Sequence, residues 1–96
     1  MPLPDAYQLS QNYPNPFNPS TTISYQLPQA SNVAICIYNI QGQTVRTLLD
    51  GERSAGSYQV VWDGRNDVGT AVATGIYFYR IVADDFTSTK KMILLK

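Results

Sequence analysis

The sequence encodes an all-β protein, an antiparallel sandwich of about seven strands, and three observations carry that expectation. Valine, isoleucine, threonine and the aromatics make up 33 of the 96 residues, whereas glutamate occurs once and lysine three times. Strand formers are abundant and residues that cover exposed helix faces are scarce. Apolar residues recur with a period of two in several windows, the mark of a strand with one buried face. Six glycines and six prolines break the chain at intervals near the ~8–12 residues typical of sandwich strands with their turns. The length fits one domain, with residues 1–6 read as a linker or expression remnant and residues 7–96 as the domain.

A short leader strand is expected near Tyr7–Ser10. Tyr13-Pro14-Asn15-Pro16-Phe17-Asn18-Pro19 cannot be a central strand, because its prolines remove ladder donors, so it reads as an irregular leader or an edge. Ile23, Tyr25 and Leu27 alternate with Thr22, Ser24 and Gln26, a half-buried strand. Val33 to Ile40 is apolar on both faces and predicts a central strand that ends at Gln41-Gly42. Thr44 to Leu49 is extended and predicts a hairpin at Asp50-Gly51 back to Ser57–Trp62. Residues Asp63 to Gly69 form the longest loop. Gly75 to Ala83 places Tyr77, Tyr79 and Ile81 on one face, Asp84-Asp85 turns the chain, and Phe86 to Leu95 is the last strand. Seven strands at this spacing match an immunoglobulin-like sandwich without its disulfide, since Cys36 is the sole cysteine.

Composition narrows the function. Seven basic and seven acidic residues give no net charge and no electrostatic footprint for nucleic acid. Without histidine, histidine-based catalysis and Cys/His zinc sites are excluded. A serine or threonine nucleophile would need a lysine behind a turn, and the lysines lie on or after the last strand. The neighbouring Asp84 and Asp85 point to opposite sides and read as a solvated turn, not an acid pair for glycosidic bonds. No catalytic residue, cofactor or metal site is therefore expected. Asp63, Asn66 and Asp67 cluster oxygens, but the calcium-loop register fails at Arg65, Val68 and Thr74, which leaves them as turn formers. Tyr7, Tyr13, Tyr38, Tyr77, Tyr79 and Trp62 would be enough for a sugar-stacking platform. Their alternation with Val60 and Ile81 places most of them in the core instead. Cys36 reads as a small core hydrophobe and Arg80 as an exposed or ion-paired strand residue.

The C-terminal end is unusual, because Met92 and Leu94 occupy one face and Ile93 and Leu95 the other. An apolar terminal edge strand invites a further strand, and flanking lysines guard such edges. The segment Tyr13 to Ile23, Ile37 to Gln43, Ala55-Gly56-Ser57-Tyr58, Trp62 to Asn66, Gly75 to Arg80 and the closing Lys90 to Lys96 together resemble the type A C-terminal sorting domain of the bacterial type IX secretion system. That family is itself similar to the immunoglobulin-like domain of the flagellar hook-capping protein. The resemblance implies a C-terminal address label that directs a fused N-terminal cargo from the periplasm across the outer membrane, to the surface or the medium. The implied partners are proteins of the outer-membrane translocon and its sortase. Carried over by position, recognition falls on Lys90, Lys91, Met92, Ile93, Leu94, Leu95 and Lys96. The alternatives are a structural accessory module of hook-cap type, or one self-associating through edge strands, and a carbohydrate-binding module.

Overall fold

The computed structural model describes residues 3–95 and contains seven strands in two antiparallel sheets. They are β1 (Gln8–Leu9), β2 (Thr21–Leu27), β3 (Ser31–Tyr38), β4 (Thr44–Arg53), β5 (Gly56–Trp62), β6 (Gly75–Ala83) and β7 (Phe86–Leu94). One sheet runs β1-β2-β5 and the other β4-β3-β6-β7, so the expected immunoglobulin-like sandwich is what forms. Each period-two pattern becomes a sheet with one inward face. Ile23, Tyr25 and Leu27 of β2, Val33, Ile35 and Ile37 of β3, and Tyr77, Tyr79 and Ile81 of β6 are buried between the layers. Trp62, at the end of β5, is fully enclosed by Phe17 and Tyr77, with ring centroids 5.7 and 5.4 Å away, and its indole N–H donates to Arg65 O at 2.8 Å. β3 is central, as its two apolar faces require, between β4 and β6.

Two expectations are corrected. The hairpin at Asp50-Gly51 does not form: Asp50 and Gly51 pair with Ala34 and Val33, so β4 continues to Arg53. The chain then crosses through Ser54 and Ala55 to the opposite sheet, where β5 pairs with β2, and the Tyr58 hydroxyl donates to Ser54 O at 2.7 Å across that corner. A polar turn next to a glycine has the same local chemistry in a hairpin and in a crossing between layers, so local pattern does not distinguish them. The second correction concerns the end of β3, which stops at Tyr38 and not at Ile40. Asn39 Oδ1 accepts the N–H groups of Gln41 and Gln43, and this side-chain turn takes the backbone out of the ladder early. Two register shifts against β3 make Val45 and Leu48 extra residues in β4, and both pack on the core.

Candidate functional site

The hairpin from β6 to β7 closes between Ala83 and Phe86, with Asp84 at φ +50. From there β7 alternates with its even residues inward. Met92 and Leu94 are fully buried and Lys90 is half-buried, while Thr87, Thr89 and Lys91 are exposed, Ile93 is half-buried and Leu95 is 49% exposed. Lys90 and Lys91 therefore lie on opposite faces and do not make one basic patch. Lys96 lies outside the described residues. β7 is the edge of its sheet, as expected of a terminal strand.

That edge is not wholly open, and here the sequence reading needs correction. After β1 the chain stays beside β2 through a reciprocal pair of bonds between Tyr13 and Thr22, both 2.9 Å. It then crosses between the layers and runs parallel to β7. Phe17 N–H donates to Ile93 O at 3.0 Å, and Leu95 N–H donates to Phe17 O at 2.9 Å. Asn15 Oδ1 accepts the Ile93 N–H at 3.0 Å, and Gln11 Nε2 donates to Lys91 O at 2.8 Å. The proline-rich leader thus caps the C-terminal part of the β7 edge. Prolines suit this position, since a segment with water or loose structure on its far side has no need for every donor. The Phe17 ring, 2% exposed, anchors the leader against Trp62.

A buried polar network holds the crossing. The Tyr79 hydroxyl donates to Ser10 O at 2.7 Å and accepts the Asn12 N–H at 2.8 Å, joining β6 of one sheet to the leader on the other. Asn12 Nδ2 donates to Thr21 Oγ1 and Pro14 O, and Thr21 Oγ1 also donates to Pro14 O. Burial pushes the Tyr79 hydroxyl up to about 12, with the Asn12 N–H acting in the opposite direction. Sequence reasoning did not find this latch. Its members, Gln11, Asn12, Asn15, Phe17 and Tyr79, are joined by contacts some 67 to 80 residues apart, except within the leader itself. The carboxamides of Gln11, Asn12 and Asn15 among prolines were the one available signal.

The other candidate sites are occupied by scaffold bonds. Asp63 Oδ1 accepts the Arg65 N–H and pairs with Arg46 at 3.4 Å, Asp67 Oδ1 accepts the Thr47 N–H, and Asn66 Oδ1 accepts from Val68 and Thr70. These oxygens are turned to backbone groups of the loop and of β4, and those of Asp63 and Asp67 also to the Arg46 guanidinium, a cation that the chain itself supplies. Among the described residues no three acidic or cysteine side chains converge as a cation site. The aromatics do not form a platform either. Trp62, Tyr25, Tyr77 and Tyr79 are buried, Tyr7 stacks on Phe86 at 5.2 Å, and Arg80 covers the Tyr38 ring at 5.4 Å.

Residues 14–85 match the family model described as the FlgD Ig-like domain. Over 67 residues the chain is 37% identical to the basal-body rod modification protein FlgD of Salmonella typhimurium, covering 69% of this chain and 29% of that protein. Among solved structures, dimeric latent PorU from Porphyromonas gingivalis is similar with a TM-score of 0.75 and 25% identity, over 96% of this chain and 9% of that one. PorZ of the same organism, described as an essential bacterial surface component of the type-IX secretion system, gives a TM-score of 0.61 at 17% identity. That likeness covers 96% of this chain and 12% of PorZ and concerns the fold. The chain thus spans less than a third of the length of each of these three proteins. With most of its length inside the matched region, the chain belongs to the FlgD Ig-like domain family.

Proposed function

We propose that this domain is a non-catalytic immunoglobulin-like accessory module, carried by a longer polypeptide and acting by binding through its sheet edges and loops. The observation that carries this reading is the family membership, taken with a polar inventory spent on holding the fold: the hydroxyls and carboxamides nearest the core bond to backbone of the leader and corners. Deleting the domain from its parent polypeptide tests it. The remainder should keep any catalytic turnover and lose assembly or anchoring. Loss of turnover with intact assembly would contradict the reading.

A second reading is favoured by a separate observation. The family model stops at residue 85, before β7, whereas the likeness to PorU takes in 96% of the chain and so reaches into the terminal strand. That extent, together with the closing Lys90 to Lys96 motif, supports a sorting domain of the type IX secretion system. In it, a fused cargo would travel through the periplasm to the cell surface, with translocon and sortase as partners. The latch refines how such a tag would be read. Recognition would use the Leu95 end, the exposed face of Lys91 and Ile93, and the open part of the edge, because the edge from Lys91 to Leu95 is already bonded. Residues 7–96 fused behind a periplasmic reporter, in a bacterium that has the machinery, separate the two readings. Surface display lost on removing Lys90 to Lys96 supports sorting, and periplasmic retention of the intact fusion removes it.

A further inference from the structure

The bonds of the leader fix which backbone groups of β7 face away from β6. Ile93 directs both its N–H and its C=O to the leader, and main-chain direction alternates along a strand, so Lys91, Thr89 and Thr87 face the same edge. Gln11 takes Lys91 O and the leader goes no further. The N–H and C=O of Thr87 and Thr89, and the N–H of Lys91, are left without a partner among the described residues. The side chains of these three residues are also exposed.

We infer that the open edge over 87–91 pairs antiparallel with the same edge of a second copy, about a two-fold axis through Thr89. The open edge is self-complementary. That register sets Thr89 against Thr89, Thr87 against Lys91 and Ser88 against Lys90, so each lysine directly faces a hydroxyl, and the like-charge approach is confined to the two Lys90 side chains, which are diagonal across the axis. Asp85, exposed in the hairpin turn two residues before Thr87, then comes within reach of Lys91 of the second copy. The symmetry makes this acid–base pair twice. The latch limits the pairing to this window, because beyond Lys91 the edge is filled and beyond Phe86 the strand turns away. The zero net charge adds no long-range repulsion. With the Lys91 carbonyl already held by Gln11, four backbone bonds form: two between the Thr89 residues and one from each Lys91 N–H to Thr87 O of the other copy. So short an edge gives a weak dimer, with a dissociation constant on the order of 0.1–1 mM.

This pairing names a partner for the accessory module and is measured on the 96-residue chain alone, so its failure leaves the module reading standing. Sedimentation velocity from ~10 μM to ~2 mM, a range that brackets this affinity, should show a monomer becoming a dimer. Thr89→Pro removes an N–H that the β6 ladder does not use, and it should remain monomeric with an unchanged far-ultraviolet spectrum. Lys91→Glu should weaken the dimer several-fold, and the double variant Lys91→Glu with Asp85→Lys should recover it. A wild-type chain that stays monomeric throughout, including one whose edge serves a strand of some other protein, overturns the inference. So does a dimer that survives Thr89→Pro, or a charge-exchanged variant that does not recover.

Discussion

Tyr79 shows how a core aromatic can also organise the surface. Its ring fills the sandwich while its hydroxyl serves two backbone groups of the leader. Tyr79→Phe keeps the volume but strands the Ser10 carbonyl and the Asn12 N–H, and should cost about 1–3 kcal/mol in urea unfolding. The hydroxyl also sets an alkaline limit. Its value is about 12 when folded and near 10 when unfolded, so the neutral form is favoured by folding. The associated stability is complete below pH ~10 and is lost as pH rises through about 12. Tyr25 and Tyr77 are raised in the same direction by burial, so Tyr79→Phe should shrink the alkaline loss without abolishing it. Gly64 makes a second residue-level prediction. At φ +76, with an added Cβ only 3.0 Å from the Pro19 carbonyl oxygen, Gly64→Ala should lower stability by roughly 1–3 kcal/mol in a thermal melt. The glycine was legible as a turn residue in the sequence. The partners of the Tyr79 hydroxyl were not, because nothing local records which carbonyl lies across the sandwich.

At the scale of elements, strands whose burial alternates were readable and connections between layers were not. The patterns of β2 and β6 fix both their existence and their inward faces, since period two maps directly onto the two sides of a sheet, whereas β7, apolar on both faces near its end, was legible as a strand without its inward face. Which sheet a strand joins is decided by pairing with distant strands, and this is why the passage from β4 to β5 read as a hairpin. The leader was legible as irregular from its prolines, but its docking on β7 depends on Asn15, Gln11 and Phe17 meeting residues near the other end of the chain. Phe17→Ala removes the anchor packed on Trp62 and should cost about 3–5 kcal/mol, measured by chemical denaturation. Asn15→Ala deletes only the acceptor of the Ile93 N–H. It should speed exchange at that amide while leaving the amides of β3 unaffected.

The whole molecule is a two-sheet sandwich whose terminal strand is latched by the leader along its final residues and open along its first ones. The latch joins the two layers on the side of the β7 edge, while the crossing through Ser54 and Ala55 joins β4 to β5. Binding by such a module is then a matter of which edge groups remain unpaired. Amide hydrogen exchange on the dilute monomer, read residue by residue along β7, tests this most directly. The amides of Ile93 and Leu95 should exchange slowly, while those of Thr87, Thr89 and Lys91 exchange at rates close to exposed chain. If Ile93 and Leu95 exchanged as fast as Thr89 in the folded protein, the leader would not be docked and the account would fail.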